Sequence, residues 1–143
     1  MTKIRMRVRF DFVGRGKSNK LFRGKNCVEL AEQIREHKVS LIRNVPMQGI
    51  EIEDIDVSQE VYTICDEITN NISAYAPITI CLSADSLEDA VRFTMKEEFR
   101  RVEILDPESI TLSKLEIERL LLKVSAELLS YKDYLKRKLD NWN

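Results

Sequence analysis

Residues 4–12 alternate strictly between apolar and polar side chains, and this pattern constrains the fold more than any other stretch of the chain. An alternation of period two predicts a β-strand with one buried and one exposed face. The strand therefore requires a sheet that other elements cover on one side. The predicted buried face carries Ile4, Met6, Val8, Phe10 and Phe12, and the exposed face carries Lys3, Arg5, Arg7, Arg9 and Asp11.

The elements predicted within residues 1–84 follow the order β-α-β-β-α-β. After the first strand they are a helix opened by the capping box of Asn26 and Glu29, strands over 39–45 and 49–57, a helix over 58–74 and a strand over 78–84. This order predicts an α+β fold with a ferredoxin-like core, an antiparallel sheet with helices on one face.

The strand predicted over 49–57 carries acidic residues between its apolar ones. Its alternation slips by one residue between Ile52 and Ile55, which predicts a β-bulge, because an uncorrected slip would turn the apolar set outward. In the ferredoxin-like order this strand neighbours the first one, and opposite charges across such a pair are stabilising. We therefore expect Glu51 and Glu53 to lie opposite the arginines of the first strand. These arginines are Arg5, Arg7 and Arg9.

Residues 85–143 predict a C-terminal α-β-α extension that packs on the core or forms an interface between chains, within one structural domain overall. Its elements are a helix over 85–101, a strand over 102–105 and a long amphipathic helix over 112–139. The last helix repeats apolar residues at alternating steps of four and three, which is typical of a coiled coil. This seam consists of Ile117, Leu121, Val124, Leu128, Tyr131 and Leu135, and a second stripe, with members seven residues apart, consists of Leu115, Leu122 and Leu129.

Charge is segregated along the chain, although the formal net charge is only −1. Residues 1–26 contain nine Lys or Arg residues and one acid, whereas the ten charged residues between Arg43 and Arg92 are all acidic. Such segregation predicts a surface for nucleic acid or for an acidic partner, and nearby glycines allow backbone amides to approach a phosphate. Beyond the first strand, the candidate nucleic-acid or anion-binding residues are Arg15, Lys17, Lys20, Arg23 and Lys25.

Two features argue against a nucleic-acid interface. The exposed face of the strands over 4–12 and 49–57 carries no aromatic side chain on which a base could stack. The acids of residues 51–67 would also repel a phosphate backbone that lies beside them. These acids offer, as another interpretation, a divalent-metal site or a pair of catalytic carboxylates, although a solvated or cation-paired strand explains them more simply. The strand acids are Glu51, Glu53, Asp54 and Asp56.

Other classes of protein are disfavoured by patterns that the chain lacks. No apolar run approaches the roughly 20 residues that span a bilayer, and the basic N-terminus lacks the apolar core of a secretory signal. Cys27, Cys65 and Cys81 are widely spaced and odd in number, which favours buried, reduced thiols in a cytoplasmic protein. With His37 as the single histidine, the sequence predicts no catalytic residues, no metal site and no cofactor.

The sequence therefore predicts a non-enzymatic assembly or regulatory module. It would form a homodimer, or dock to a partner protein, through its C-terminal helix. The alternative is nucleic-acid binding through the basic residues 3–25. A further alternative is a divalent-metal or enzymatic site on the acidic strand 51–56.

Overall fold

The computed structural model describes residues 3–15 and 23–141, with the backbone alone for residues 23–26. The described residues form an α+β fold with one five-stranded antiparallel sheet and three helices. In chain order the elements are β1 (Ile4–Arg15), α1 (Arg23–Asn44), β2 (Ile50–Asp56), β3 (Tyr62–Cys65), β4 (Ile72–Ala84), α2 (Leu87–Thr94), β5 (Phe99–Asp106) and α3 (Lys114–Asp140).

The sheet has the strand order β2-β4-β1-β5, with β3 also paired to β4. The two long strands β1 and β4 pair along their whole length, from Ile4 opposite Ala84 to Arg15 opposite Ser73. Because β4 is longer than its other neighbours, β2 pairs with its C-terminal part and β3 with its N-terminal end. β5 pairs with the free side of β1.

The strict alternation of the N-terminal strand is confirmed, since the predicted apolar face of β1 is buried. Phe10 lies at the centre of this inner face, with its ring 5.5 Å from that of Phe93 in α2 and 6.2 Å from that of Phe99 in β5. Ile34 and Ile42 of α1 pack against the same apolar cluster. The cluster therefore joins the inner face of the sheet to both α1 and α2.

Gly14 allows α1 to lie directly on the sheet. A Cβ atom at this position would be 2.5 Å from the backbone nitrogen of Ala31 and 2.6 Å from the carbonyl oxygen of Cys27. Both contacts are with helix backbone, which cannot rotate away as a side chain can. A glycine is therefore required where β1 ends under α1.

Two predicted elements are wrong. Residues 39–45, predicted as a strand, continue α1 to Asn44, because Ile34, Val39 and Ile42 share the helical face that packs on the core. Helix α1 also begins at Arg23, so the predicted cap Asn26 lies within its first turns.

The helix predicted over 58–74 is also wrong, because these residues form β3, a turn and the start of β4. The turn has its own chemistry: the carboxylate of Asp66 accepts the amide hydrogen of Ile68 at 2.9 Å, and Asn70 has a φ of 57°, in the left-handed region that Asn tolerates. Cys65 then pairs with Ile72 across the hairpin.

Other predictions differ from the structure only in their bounds or are confirmed. The predicted bulge of β2 is present as a shift of register between Ile52 and Asp54. Helix α2 ends at Thr94, not near 101, and β5 begins at Phe99. Helix α3 closely matches its predicted range. No helix within the described ranges is both long and apolar enough to cross a membrane.

Candidate functional site

The cations of β1 lie on the outer face of the sheet, where acidic side chains meet them. Nε of Arg5 is 2.8 Å from Oε2 of Glu53, and Nζ of Lys3 is 3.4 Å from Oε2 of Glu51. Both pairs reach across the intervening strand β4, where the small side chain of Ser83 donates a hydrogen bond to Glu53 at 3.1 Å. The Arg5 hydrogen bond lowers the pKa of Glu53, and the same bond raises the pKa of Arg5.

The expectation that all three strand arginines face Glu51 and Glu53 is wrong for Arg7 and Arg9. β4 separates β1 from β2, so β1 has no direct neighbour that carries these acids. Arg7 instead meets Glu103, its register partner on β5, at 2.9 Å. Arg9 binds Asp11 on its own strand.

Asp11 is a buried carboxylate at the centre of a partly exposed polar cluster near the C-terminal end of β1. Its side chain is only 3% exposed and accepts hydrogen bonds from Nε and Nη2 of Arg9, at 2.8 and 3.2 Å. The hydroxyl of Tyr62 donates a third bond at 2.5 Å, and Nε of Arg100 lies 3.9 Å away. Burial, together with the bond to Asp11, raises the pKa of Tyr62. Asp11 therefore has the paired environment that a buried carboxylate requires.

Two tyrosines form an aromatic pair beside this cluster. The rings of Tyr62 in β3 and Tyr75 in β4 stack with centroids 5.3 Å apart and an angle of 16° between planes. The guanidinium carbon of Arg100 lies 5.9 Å from the centre of the Tyr75 ring. The pair lies on the outer face, since Tyr75 is opposite Val13 of β1 and next to the buried inner-face residues Ala74 and Ala76.

Sequence analysis missed this aromatic pair because it assigned residues 58–74 to a helix. The available signal for two strands was the spacing of two between Tyr62 and Ile64 and between Ser73 and Tyr75, which places each pair on one face of a strand. Their register, which places the two tyrosines opposite each other, could not be predicted without the turn between them.

The candidate anion-binding residues are only partly within the described chain. Arg15 is exposed at the end of β1, where it pairs with Ser73 of β4. It therefore lies at the end of the sheet that carries Tyr75, two residues along β4. Lys17 and Lys20 lie outside the described residues, as do the side chains of Arg23 and Lys25. Their role in binding stays a prediction.

The acids of β2 are engaged in local contacts where the structure describes them. Glu51 and Glu53 form the ion pairs given above, and Asp56 accepts the amide hydrogen of Ser58 at 2.8 Å, which contributes to lowering its pKa. Within residues 3–15 and 27–141, no three potential ligands lie close enough together to hold a metal ion. No observation favours the metal or enzymatic interpretation of this strand.

The cysteines differ from the predicted buried thiols in two of three cases. Cys27 lies on α1, where it is buried, and its thiol donates to the carbonyl oxygen of Ile72 at 3.1 Å. Cys65 is exposed because it lies on β3 and not on the predicted helix. Cys81 is half-buried because it lies on the outer face of β4, opposite Arg7. None of these three cysteines, which all lie within the described residues, forms a disulfide.

Helix α3 presents the predicted apolar seam to solvent. The helix packs against α2, and none of its own residues is buried. Its start is well defined, because Ser113 and Glu116 form a reciprocal capping box with bonds of 3.2 and 3.3 Å. The seam residues are exposed as follows: Ile117 44%, Leu121 65%, Val124 37%, Leu128 63%, Tyr131 41% and Leu135 37%.

The second stripe of α3 is exposed as well. Leu115, Leu122 and Leu129 have exposed fractions of 53%, 71% and 58%. The second stripe lies about 140° around the helix from the centre of the seam, so a two-stranded coiled coil through the seam leaves it exposed. Exposed apolar surface of this extent is typical of an interaction site.

The chain matches no model of a known protein family, and the searches of curated proteins and of solved structures found no significantly similar protein. Function is therefore inferred from two surfaces: the apolar surface of α3, and the aromatic and cationic end of the outer sheet face.

Proposed function

We propose that this chain is a non-enzymatic assembly module that self-associates through α3. The observation that carries the proposal is the six-residue seam, exposed along a helix that buries none of its own residues. In water such a surface gains free energy by pairing with another apolar surface, at roughly 25 cal/mol per Å² buried. A second copy of α3 offers a matching surface with the same repeat.

We infer that α3 is an appendage to a variant ferredoxin-like core. The connection β1-α1-β2-β4-α2-β5, with the order β2-β4-β1-β5, supports this assignment, and β3 is then a strand inserted between the second and third strands of the plan. On this assignment the core is complete before α3 begins. The helix is then available for contacts between chains.

The homodimer is the proposed unit, with the seam as its contact. The 27 residues of α3 span about 40 Å at ~1.5 Å per residue, which accommodates the three repeats of the seam. Leucines occupy one set of seam positions and Ile117, Val124 and Tyr131 the other.

We propose that two such dimers join through the second stripe to form a tetramer. Leu122 follows the seam residue Leu121 and therefore points about 100° around the helix from it, so it faces away from a two-stranded contact and is available for a second one. Its exposed fraction of 71% makes it the most exposed leucine of the helix. The tetramer would bury both stripes, which a dimer alone would not.

Sedimentation equilibrium tests this assembly. We expect tetramers for the wild-type chain at high concentration, and dimers for Leu122→Ala. Leu139→Ala, a leucine of similar exposure after the last seam residue, is the matched control and is expected to behave as the wild type. A wild-type chain that stays monomeric across micromolar concentrations rules out self-association.

A cytoplasmic location is part of the same proposal. It is supported by the exposed thiol of Cys65, because exposed free thiols are more common in reducing compartments. Partial oxidation of Cys65 in protein isolated from its native cells would contradict this location.

The second candidate function is single-stranded nucleic-acid binding through residues 3–25 and the neighbouring outer face of the sheet. The observation that favours it is the stacked pair of Tyr62 and Tyr75, next to Arg9 and Arg100 and at the end of the sheet where Arg15 emerges. Aromatic rings support stacking of bases, and cations attract the phosphates.

Filter binding of a single-stranded oligonucleotide at several salt concentrations tests this candidate. Each phosphate contact removed by Arg15→Ser or Lys17→Ser should make the salt slope shallower by about 0.7. Tyr75→Leu should weaken binding at every salt concentration without changing the slope, because stacking carries no charge. Arg119→Ser on α3 is the charge-matched control. Equal weakening by Arg119→Ser and Arg15→Ser would show that binding is not local to this surface.

A further inference from the structure

A cavity of about 510 Å³ opens between α1, α2 and the inner face of the sheet. Its floor is formed by the rings of Phe10 and Phe12 from β1, and its walls include Leu41 and Ile42 of α1 and Phe93 of α2. Its volume lies in the range of small-molecule sites, and its apolar lining is typical of them.

The cavity exists because the two helices cover the sheet unequally. Helix α1 has 22 residues, whereas α2 has only 8. The short helix leaves the C-terminal turns of α1 without a partner on one side, so Leu41 is 41% exposed and Val45 is 52% exposed at the cavity mouth. Apolar residues that are left open in this way form a surface that a ligand can cover.

The polar groups of the cavity are mostly cationic. Lys38, Arg92 and Lys96 line it together with the single acid Glu98. Nζ of Lys38 lies 5.8 Å from the centre of the Phe12 ring, which keeps this ammonium group next to the apolar floor. Arg92 is balanced by Asp89 at 3.0 Å and also donates to the carbonyl oxygen of Gln48.

The charge that remains selects the class of ligand. With Arg92 paired to Asp89, the two lysines face one acid, so the cavity has one positive charge in excess. A single negative charge on an apolar body matches both the lining and this balance. We propose that the cavity binds an amphipathic monocarboxylate, with its chain on the phenylalanine floor and its carboxylate between Lys38 and Lys96.

Calorimetric titration of the full chain with decanoate tests the proposal. We expect saturable binding with one site per chain. Butyrate should bind far more weakly because it lacks the chain, and decyltrimethylammonium should bind far more weakly because its charge is reversed. Equal binding of the cationic and anionic amphiphiles would overturn the proposal, as would the absence of saturable binding of decanoate.

Variants place the binding at the cavity. Leu41→Trp fills the mouth at an exposed position and should abolish decanoate binding, whereas Lys96→Gln should weaken it by about 10-fold through loss of a charge-assisted hydrogen bond. The controls are Leu121→Trp and Lys132→Gln, which make the same changes on α3. If Leu121→Trp lowers the affinity as much as Leu41→Trp does, decanoate binds to the seam and the proposal is wrong. Chemical shifts of the Phe10 and Phe12 rings provide a readout independent of affinity.

Discussion

Truncation of a single seam leucine should weaken the proposed dimer by a predictable amount. Leu121 is 65% exposed in the isolated chain. Full burial of a leucine side chain is worth about 1.5–3 kcal/mol, so burial of the exposed part contributes about 1–2 kcal/mol per chain. A dimer contains two copies, so Leu121→Ala should weaken the free energy of dimerisation by about 2–4 kcal/mol. The Kd should therefore rise by about 30-fold to 700-fold.

The measurement requires a pure equilibrium between monomer and dimer. We would use Leu122→Ala as the background, because it removes the proposed contact between dimers, and follow dissociation by sedimentation equilibrium over a range of concentrations. Alanine is the best helix former, so the helix itself should be retained, and circular dichroism checks this. A Kd for Leu121→Ala in this background equal to that of the background alone would refute the assignment of the seam as the dimer contact.

Three further predictions concern the core and the outer sheet face. Asp11→Asn should lower the free energy of unfolding by about 2–4 kcal/mol in urea titrations. This loss is no larger than that for breaking a fully buried ion pair, because Arg9 is 35% exposed and water can reach it. A loss below that seen for Asp133→Asn on α3 would contradict a stabilising role of the Asp11 cluster. Gly14→Ala should destabilise the fold by about 1–3 kcal/mol through the clash with α1, whereas Val13→Ala, one residue away, should have a smaller effect in the same melts. The pKa of Glu53 is lowered by Arg5, so its contribution to stability is present above its ordinary pKa of 4.5 and is lost as the pH falls through the lower, folded value; Glu53→Gln should flatten this acid limb, and an unchanged limb would show that the pair does not contribute.

The parts of the fold that the sequence predicted are those fixed by local periodicity. The first strand has five apolar residues in strict alternation, and α3 has six at heptad spacing, so each pattern is compatible with one element only. The bulge in β2 was predictable for the same reason, since a slip of one residue must be absorbed locally. These elements carry their own signal, and packing does not change it.

The errors arose where one set of apolar residues satisfies two periods. Val61, Ile64, Ile68 and Ile72 are at helical spacing, yet Ile64 and Ile72 lie on paired strands and Ile68 is 94% exposed in the turn. The deciding features were the hydrogen bond of Asp66 and the left-handed conformation of Asn70, which close a hairpin and have little effect on an apolar count. Turn chemistry therefore outweighed hydrophobic spacing in this segment.

The strand order also changes the electrostatic argument about the basic N-terminal segment. Glu53 is paired with Arg5, which is eight residues along β1 from Val13, the register partner of Tyr75. This pair is therefore about 26 Å from the level of Tyr75, which is more than two Debye lengths at physiological salt. Glu51 and Glu53 therefore do not oppose phosphate binding at the tyrosine end, contrary to the objection raised by their sequence position. Asp56 is closer, because its partner Thr79 is four residues, or about 13 Å, along β4 from Tyr75.

The acids of the β3–β4 turn, Asp66 and Glu67, lie close to the tyrosine end of the sheet. They directly follow Cys65, which pairs with Ile72 of β4, and the next residue of β4, Ser73, pairs with Arg15. Among the described residues, Arg9 and Arg100 share the one carboxylate of Asp11, and with Arg15 these cations are matched in number by Asp11 and the two turn acids. The local charge is thus near neutral, and phosphate attraction alone would be weak there. Nucleic-acid binding at this surface would depend mainly on stacking, so the Tyr75→Leu variant discriminates it more sharply than the salt dependence does.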